Sequence, residues 1–298
     1  MSTQTPLSST DIPTIVSISI VAYALEIVVH EIIGHGGVCL LVGGQPLAVT
    51  STDLFCKLAN NPEWKYKFMV TGGGLVNFLS VLLCLALIRY RKYNPHTAYF
   101  LWVFMNINLF LASSYLIGSP LLGFGDWDSF VSDLPLSIVW RVLFALAGVI
   151  LSFWGIKISV AVFEIQFGQV ENDKANWVKL LSRVPPFTVG TVGLLMGFLN
   201  PLDLKWSISL AAASFIGLLW MFNLHAWIQT SNNKDYPSKT HVLYSCYLPI
   251  PTSRDVQQEF HRQLGYLPFI TGNMCIREAD LDINAETCDL PTRCVQLA

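Results

Sequence analysis

Long apolar runs separated by short polar segments dominate the chain. Runs of helix length begin near residues 13, 68, 98, 136, 185 and 206. A helix needs about 20 apolar residues to cross the hydrocarbon core of a bilayer. The pattern therefore predicts an all-α, polytopic membrane helix bundle of about six transmembrane helices, and hence an integral, multi-pass membrane protein in contact with the lipid bilayer.

The polarity of the chain changes after residue 229, and no apolar run of helix length follows. We therefore expect an N-terminal tail at residues 1–12, a membrane-embedded domain at 13–229, and a small, irregular extramembrane tail at 230–298. Between the first two apolar runs, Leu47–Phe55 is β-branched and partly alternating, which predicts a short strand or hairpin.

Composition supports the membrane assignment. The chain is 53% hydrophobic and 13% charged, whereas a soluble domain carries about 25% charged residues. The net charge of −2 provides no basic surface for phosphates, so nucleic acid is excluded as a partner. Cys39 and Cys84 lie in apolar runs and are interpreted as buried, inert thiols. The four cysteines of the tail form no Cys-x-x-Cys motif, which argues against a zinc ribbon.

The first apolar run contains four ionisable side chains, Glu26, His30, Glu31 and His35. Such groups cost about 2.5 kcal/mol or more each near the bilayer centre, so the cluster indicates a functional site. In zinc hydrolases, His-Glu-x-x-His places both imidazoles on one helical face. Here the interval is one residue longer, and an ideal helix would hold the two rings about 140° apart. A metal site therefore requires a local distortion such as a π-bulge, which Gly34 makes less costly.

Three segments together resemble a known family. The stretch from His30 to Gly44 resembles the first-helix signature of the site-2 protease class of intramembrane zinc metalloproteases. Gly72-Gly-Gly-Leu-Val-Asn77 is similar to the Gly-Pro-x-x-Asn helix of that class, without its proline. Asp126, in Gly-Phe-Gly-Asp-Trp, stands where the class has a third ligand in a Leu-Asp-Gly context, which is absent here. The resemblance covers about residues 24 to 128.

The resemblance implies an enzyme, a zinc-dependent intramembrane endopeptidase that cleaves transmembrane or juxtamembrane segments of membrane proteins. One Zn²⁺ would be held by His30, His35 and Asp126, which leaves a fourth position for water. Glu31 would act as the general base. Asn77 would donate to the substrate or to the oxyanion.

The predicted direction of the helices supports the same grouping without the family. The first and third spans are parallel, so their C-terminal ends reach one membrane face. Asp126 follows the third span on that face, and the second span begins there, with Asn77 about 14 Å along it. His35 and Asp126 are therefore expected at comparable depth. In the resembling class the substrate binds beside a hairpin, for which Leu47–Phe55 is the candidate.

Each assignment has a plainer alternative. The histidine cluster is also compatible with a hydrogen-bonded network that joins helices. Glu26, one turn from His30, is either the partner of that histidine or a member of an interhelical hydrogen bond. Asp126 is either a ligand or a solvated loop carboxylate or helix cap, with Asp128 as the alternative ligand. The glycines at 72–74 favour close helix packing.

Two other functions compete with the peptidase. A di-iron membrane desaturase would share the interval between His30 and His35, but it needs more histidines, including adjacent pairs. The chain has six histidines, of which no two are adjacent. A non-catalytic, protease-like membrane scaffold or metal-binding membrane protein stays open as the alternative. A transporter is disfavoured because the polar residues of the spans lie near one face.

The orientation in the membrane is also open. The positive-inside rule places the basic loop Arg89–Lys92 and both termini in the cytoplasm. Lysines at 57, 65, 67 and 205 lie on the opposite face, so this bias is modest. Site-2-type enzymes, by contrast, generally place zinc near the cytosolic face.

Overall fold

The protein is described by a computed structural model, which covers residues 11–50, 52–58, 63–167, 175–199 and 217–231. Among these residues, four helices are long and apolar enough to cross a membrane: Ile12–Leu41, Glu63–Tyr90, Pro95–Leu122 and Ser137–Phe167. The fold is mostly helical, as predicted, but the expected number of about six spans is not confirmed. About half of the predicted sixth span, residues 206–216, and nearly all of the tail at 230–298 lie outside the described residues.

The described helices and strands follow in chain order. The first long helix consists of α1 (Ile12–Ile27), a π-helical segment (Val28–Gly36) and α2 (Gly37–Leu41), and it is followed by β1 (Gln45–Val49), β2 (Leu54–Lys57), α3 (Glu63–Tyr90), α4 (Pro95–Leu122), α5 (Gly125–Val131), α6 (Ser137–Phe167), α7 (Ala175–Leu199) and α8 (Leu224–Ser231).

The predicted fifth span, which begins near residue 185, is part of a longer helix, α7. It begins at Ala175, so residues 175–183 are helical, and Pro185 and Pro186 lie inside it rather than at its start. Proline usually ends or kinks a helix because it lacks an N–H and clashes with the preceding turn. The sequence signal for a boundary was therefore wrong here. α7 is not among the four candidate spans.

Helix α4 is the central helix of the described bundle. Its start is fixed by Asn94, whose side chain accepts a hydrogen bond from the Thr97 amide, with Pro95 in the first turn. It continues through Pro120 to Leu122 and is capped by Gly123. In its most apolar window 78% of residues are buried, against 33–39% in the other three candidate spans. α4 therefore holds the chain that follows it, including Asp126, against the rest of the bundle.

The predicted hairpin is confirmed, because β1 and β2 pair antiparallel after the end of α2. The interpretation of Cys39 as an inert thiol is wrong: Cys39 forms a disulfide with Cys56 of β2, and their Cα atoms are 6.2 Å apart. The apolar surroundings of Cys39 concealed this pairing, since disulfide connectivity depends on spatial proximity rather than on sequence pattern. Cys84 is free and buried, as expected.

Candidate metal centre

The distortion that a metal site requires is present in the first helix. Residues Val28–Gly36 form a π-helix, whose hydrogen bonds join residues five apart. His30 and His35 are separated by that interval, so their rings lie on one face, with centroids 5.0 Å apart. The π-helical geometry thus accommodates the one residue by which the motif exceeds His-Glu-x-x-His.

Asp126 lies beside both histidines. Its Oδ2 atom is 3.6 Å from Nε2 of His30 and 3.2 Å from Nε2 of His35. One nitrogen or oxygen from each of the three residues lies within 4.8 Å of the other two. The convergence expected from parallel first and third spans is therefore confirmed, while the role of these residues as ligands stays a prediction.

These distances fit a small tetrahedral ion. Bonds of about 2.0–2.2 Å from zinc to nitrogen and oxygen place neighbouring donors about 3.3–3.6 Å apart in a tetrahedron. The two separations from Asp126 Oδ2 lie close to that range, and the two imidazole nitrogens lie within 4.8 Å of each other. Two imidazoles and one carboxylate are also the donor types that zinc takes in catalytic sites.

The space next to the imidazoles is kept free by a glycine of α3. A Cβ atom at Gly73 would lie 2.5 Å from Nε2 of His30 and 2.6 Å from Nε2 of His35. That position is close to both nitrogens that would bind the ion. The glycine therefore lets α3 lie closer to both imidazoles than any residue with a Cβ could.

The same glycine segment sets the distance between α3 and the π-helix. A Cβ at Gly34 would lie 2.6 Å from the Cα atom of Gly73, and a Cβ at Gly72 would lie 2.6 Å from the carbonyl oxygen of Gly34. The two backbones therefore touch without a side chain between them, as small residues permit in membrane helices. The expected helix packing and the space for the site come from the same glycines.

His35 is oriented by the backbone of α3. Its Nδ1 atom lies 2.9 Å from the carbonyl oxygen of Met69 and is placed to donate to it. A proton on Nδ1 leaves the lone pair of Nε2 directed at the site, which is the tautomer a metal ligand needs. The side chain of His35 is 8% exposed, so it is held inside the protein.

Glu26 and Asn77 form a buried pair behind His30. Asn77 Nδ2 donates a hydrogen bond of 2.9 Å to Glu26 Oε1, and that oxygen is 4.0 Å from Nδ1 of His30. Glu26 therefore combines the two alternatives considered for it: its carboxylate accepts an interhelical hydrogen bond and also lies beside His30. For Asn77 the expectation of a donor to the substrate changes, since its amide is engaged with Glu26.

Glu31 is 5% exposed and belongs to the π-helix between the two histidines. Within the described part of the chain, its Oε2 atom and Nδ1 of His30 are buried without a hydrogen-bond partner. A buried carboxylate oxygen without a donor is costly. An ordered water is the usual partner of such a buried polar atom.

The short helix α5 presents Asp126 at its first turn. Gly123 and Gly125 adopt positive φ angles of 75° and 79°, which turn the chain from α4 into α5. The hydroxyl oxygen of Tyr115 accepts a hydrogen bond of 3.2 Å from the Asp126 amide. Ser119 binds the same turn, because its hydroxyl donates to the Phe124 carbonyl at 2.5 Å.

The electrostatics favour an ionised Asp126. Without a metal, burial raises the pKa of this carboxyl, but the positive charge of His35 in its protonated form and the contacts of both imidazoles outweigh it and hold the pKa below the usual range. Metal binding would replace the protons on the two Nε2 atoms. The group is therefore a carboxylate at neutral pH, which is the form that binds a cation.

Asp128, the alternative ligand, is engaged elsewhere. Its Oδ1 lies 2.5 Å from Nη2 of Arg141 in α6, and Arg141 also donates to the Pro120 carbonyl. Asp128 is not part of the group of donors around His30 and His35. Of the two acidic residues of the segment, the structure brings only Asp126 to the histidines.

Several contributors to the site escaped prediction. Gly73 was expected only to pack helices, and nothing in the sequence marked Met69, Tyr115 or Arg141 as neighbours of the site. Their effect depends on a carbonyl, a hydroxyl or an absent side chain at one point in space. Only Gly73 carried a signal, because it stands one turn before Asn77 in the segment that resembles the family.

Comparisons with known proteins gave no match: no family model, curated protein or solved structure resembles this chain significantly.

Proposed function

We propose that this chain is a zinc-dependent intramembrane endopeptidase of the site-2 type, which cleaves transmembrane or juxtamembrane segments of membrane proteins. The observation that carries the proposal is the convergence of His30, His35 and Asp126, with Oδ2 of Asp126 3.6 Å and 3.2 Å from the two Nε2 atoms. A plain network that joins helices has no need of two imidazoles and a carboxylate, the donor types of catalytic zinc, at one point.

The donor set matches the ligand pattern of catalytic zinc. His30, His35 and Asp126 would hold the ion and leave one tetrahedral position open. Zinc in such a site makes water nucleophilic at neutral pH and polarises a peptide carbonyl. Glu31 directly follows His30 in the π-helix and is buried; in this role its carboxylate would take a proton from water and return it to the leaving amine.

Behind the ligands, Asn77 orients Glu26, whose carboxylate lies 4.0 Å from Nδ1 of His30, and the Met69 carbonyl holds His35 in place. Partners of this kind typically change metal affinity 10–100-fold when they are removed. We therefore assign Asn77 a positioning role rather than the expected contact with the oxyanion.

The substrate class follows from the surroundings. The donors lie at the end of a helix within a candidate membrane span, next to a two-stranded hairpin whose β1 residues are all exposed. An extended segment that has unwound at the membrane boundary could pair with such a strand through its backbone. A membrane protein with a locally unwound segment meets this requirement.

The proposal is tested with purified full-length protein and two substitutions. Metal content is measured by mass spectrometry, and cleavage is measured on transmembrane peptides and on casein, an unfolded polypeptide. The parent protein should hold one zinc ion per chain and cleave. Glu31→Gln should retain the zinc and lose cleavage by at least about 100-fold, and His35→Ala should lose the zinc.

Two outcomes would overturn the proposal that this protein is a peptidase. Absence of stoichiometric zinc in the parent protein would remove the site itself. Zinc retention without any cleavage that depends on Glu31 would support the alternative, a metal-binding membrane protein without hydrolase activity.

A further inference from the structure

The disulfide between Cys39 and Cys56 lies at the same end of the bundle as the candidate metal centre. Cys39 belongs to α2, which directly continues the π-helix that carries both histidines. Cys56 belongs to β2, whose Leu54 lies near Gly36 of the π-helix; a Cβ on Gly36 would be 3.1 Å from Leu54 Cδ1. The disulfide and the donors therefore face one side of the membrane.

Disulfides form and persist in oxidising compartments and are rare in the cytosol. The position of this bond therefore reports the compartment that the end of α2 faces. The basic loop Arg89–Lys92 joins α3 and α4 at the opposite end of the bundle. The positive-inside rule places that loop in the cytoplasm, which agrees with the disulfide.

Charge alone would not decide the orientation, because Lys57, Lys65 and Lys67 lie on the hairpin side. Two of these lysines have structural partners there. Lys67 pairs with Glu63, and Lys65 donates a 2.7 Å hydrogen bond to the Val42 carbonyl at the end of the first helix. The disulfide is therefore the deciding observation, and the basic loop is the second, independent one.

We propose that the metal centre opens on the oxidising side of its membrane, where Cys39 and Cys56 are joined, and that its substrates are segments exposed on that side. The statement about substrates rests on the proposed peptidase function, whereas the placement of the site does not. Two thiols lose two protons and two electrons when the bond forms. A protein disulfide of a thiol–disulfide oxidoreductase in that compartment takes them and becomes a dithiol.

The bond also supports the geometry of the site. Cys39 packs in one buried cluster with Val38, Val42, Met69 and Val70, against which Cys56 and Leu54 of the hairpin pack. Met69 is the residue whose carbonyl orients His35. A continuous set of contacts thus joins the hairpin to a proposed ligand, so loss of the bond is expected to lower zinc affinity without removal of any ligand.

The orientation is tested on the full-length chain in sealed, right-side-out microsomes, whose outer face is cytosolic. The background variant keeps Cys39 and Cys56 and replaces the other five cysteines. Two exposed positions then receive a single cysteine each, Val49→Cys in β1 and Lys92→Cys in the basic loop. A membrane-impermeant maleimide should label Lys92→Cys directly and Val49→Cys only after detergent is added.

The bond itself is tested by mass spectrometry after free thiols are blocked. A peptide pair linked through Cys39 and Cys56 is expected before reduction and should vanish afterwards. Direct labelling of Val49→Cys without detergent, or free thiols at both positions 39 and 56, would overturn the proposal. Zinc content is measured on the same protein, so failure of the peptidase proposal would be recognised separately from failure of the orientation.

Discussion

The side-chain amide of Asn77 donates a 2.9 Å hydrogen bond to the carboxylate of Glu26, across the interface between α3 and the first helix. The oxygen that accepts it lies 4.0 Å from Nδ1 of His30. Asn77, which the sequence resemblance would make an oxyanion donor, therefore contacts the residue that lies beside Nδ1 of His30, on the side of the ring away from Asp126.

The positioning role of Asn77 predicts a specific kinetic result. Asn77→Ala should lower zinc affinity about 10–100-fold. Without the amide of Asn77, the carboxylate of Glu26 would no longer be held in its orientation near His30. Activity should recover when zinc is added in excess. A donor to the oxyanion would instead lower kcat about 100-fold or more at full zinc occupancy.

The matched control for this variant is Asn108→Ala. Asn108 is also a fully buried asparagine, but its amide donates to the Phe104 carbonyl within its own helix. Equal loss of zinc in both variants would mean that Asn77 acts through general stability, and the positioning role would then be abandoned.

Gly73→Ala is expected to abolish zinc binding although no donor atom is changed. The added methyl group would lie 2.5–2.6 Å from the two Nε2 atoms, so both imidazoles would have to move away from α3. Zinc titration should show a loss of at least about 100-fold in affinity, because two of the bonds that define the site become impossible.

Gly37→Ala is the control for Gly73→Ala, since a Cβ at Gly37 meets no atom within 4 Å. It should bind zinc like the parent protein and keep the same thermal stability. Normal zinc affinity in Gly73→Ala would show that the ion lies elsewhere, and the proposed geometry would be rejected.

The two acidic residues of α5 should behave differently under the same chemical change. Asp126→Asn removes a charged donor from the site and should lower zinc affinity by at least about 100-fold, since ligands bind in their deprotonated, charged form. Asp128→Asn weakens only the pair with Arg141 and should leave affinity within about threefold. Isothermal titration on the folded, monodisperse variants separates the two, and the reverse order would make Asp128 the ligand.

Removal of the disulfide should destabilise the protein and weaken the site together. The bond closes a loop with a sequence separation of 17, for which chain entropy gives about 3 kcal/mol. Cys39→Ala combined with Cys56→Ala should therefore unfold at lower denaturant in detergent micelles. It should also bind zinc more weakly, because Met69 packs beside Cys39.

Cys84→Ala is the comparison for that double variant, since Cys84 is a free, buried thiol within α3. It should lose a little packing energy and keep its zinc affinity. Unchanged zinc affinity after removal of the disulfide would mean that the hairpin and His35 are independent.

The sequence predicted the parts of this site that follow from one-dimensional patterns. Four ionisable residues in an apolar run marked the first helix, and the interval from His30 to His35 required a π distortion, which is present. Helix direction then placed Asp126 near the histidines. These inferences succeeded because spacing and helix rise are properties of the chain itself.

The parts that failed depend on contacts between distant segments. The pairing of Cys39 with Cys56 and the acceptor for Asn77 are set by packing, which leaves no periodic trace in the sequence. The two prolines of α7 gave a false signal. Proline usually marks the start or end of a helix, but here both prolines lie inside one continuous helix.

The contact between the Gly34 and Gly73 backbones has a consequence for ion choice. Because no side chain lies between the two segments, their separation cannot adjust through a change of rotamer. A donor set with a fixed backbone behind it favours an ion with bonds near 2.0–2.2 Å, whereas calcium requires bonds of about 2.3–2.6 Å and six to eight oxygens. We therefore expect the main chain to set the ionic radius that the site accepts. Replacement of Gly34 or Gly73 by a larger residue should weaken the binding of every cation, whereas replacement of one ligand should weaken the binding of only some cations.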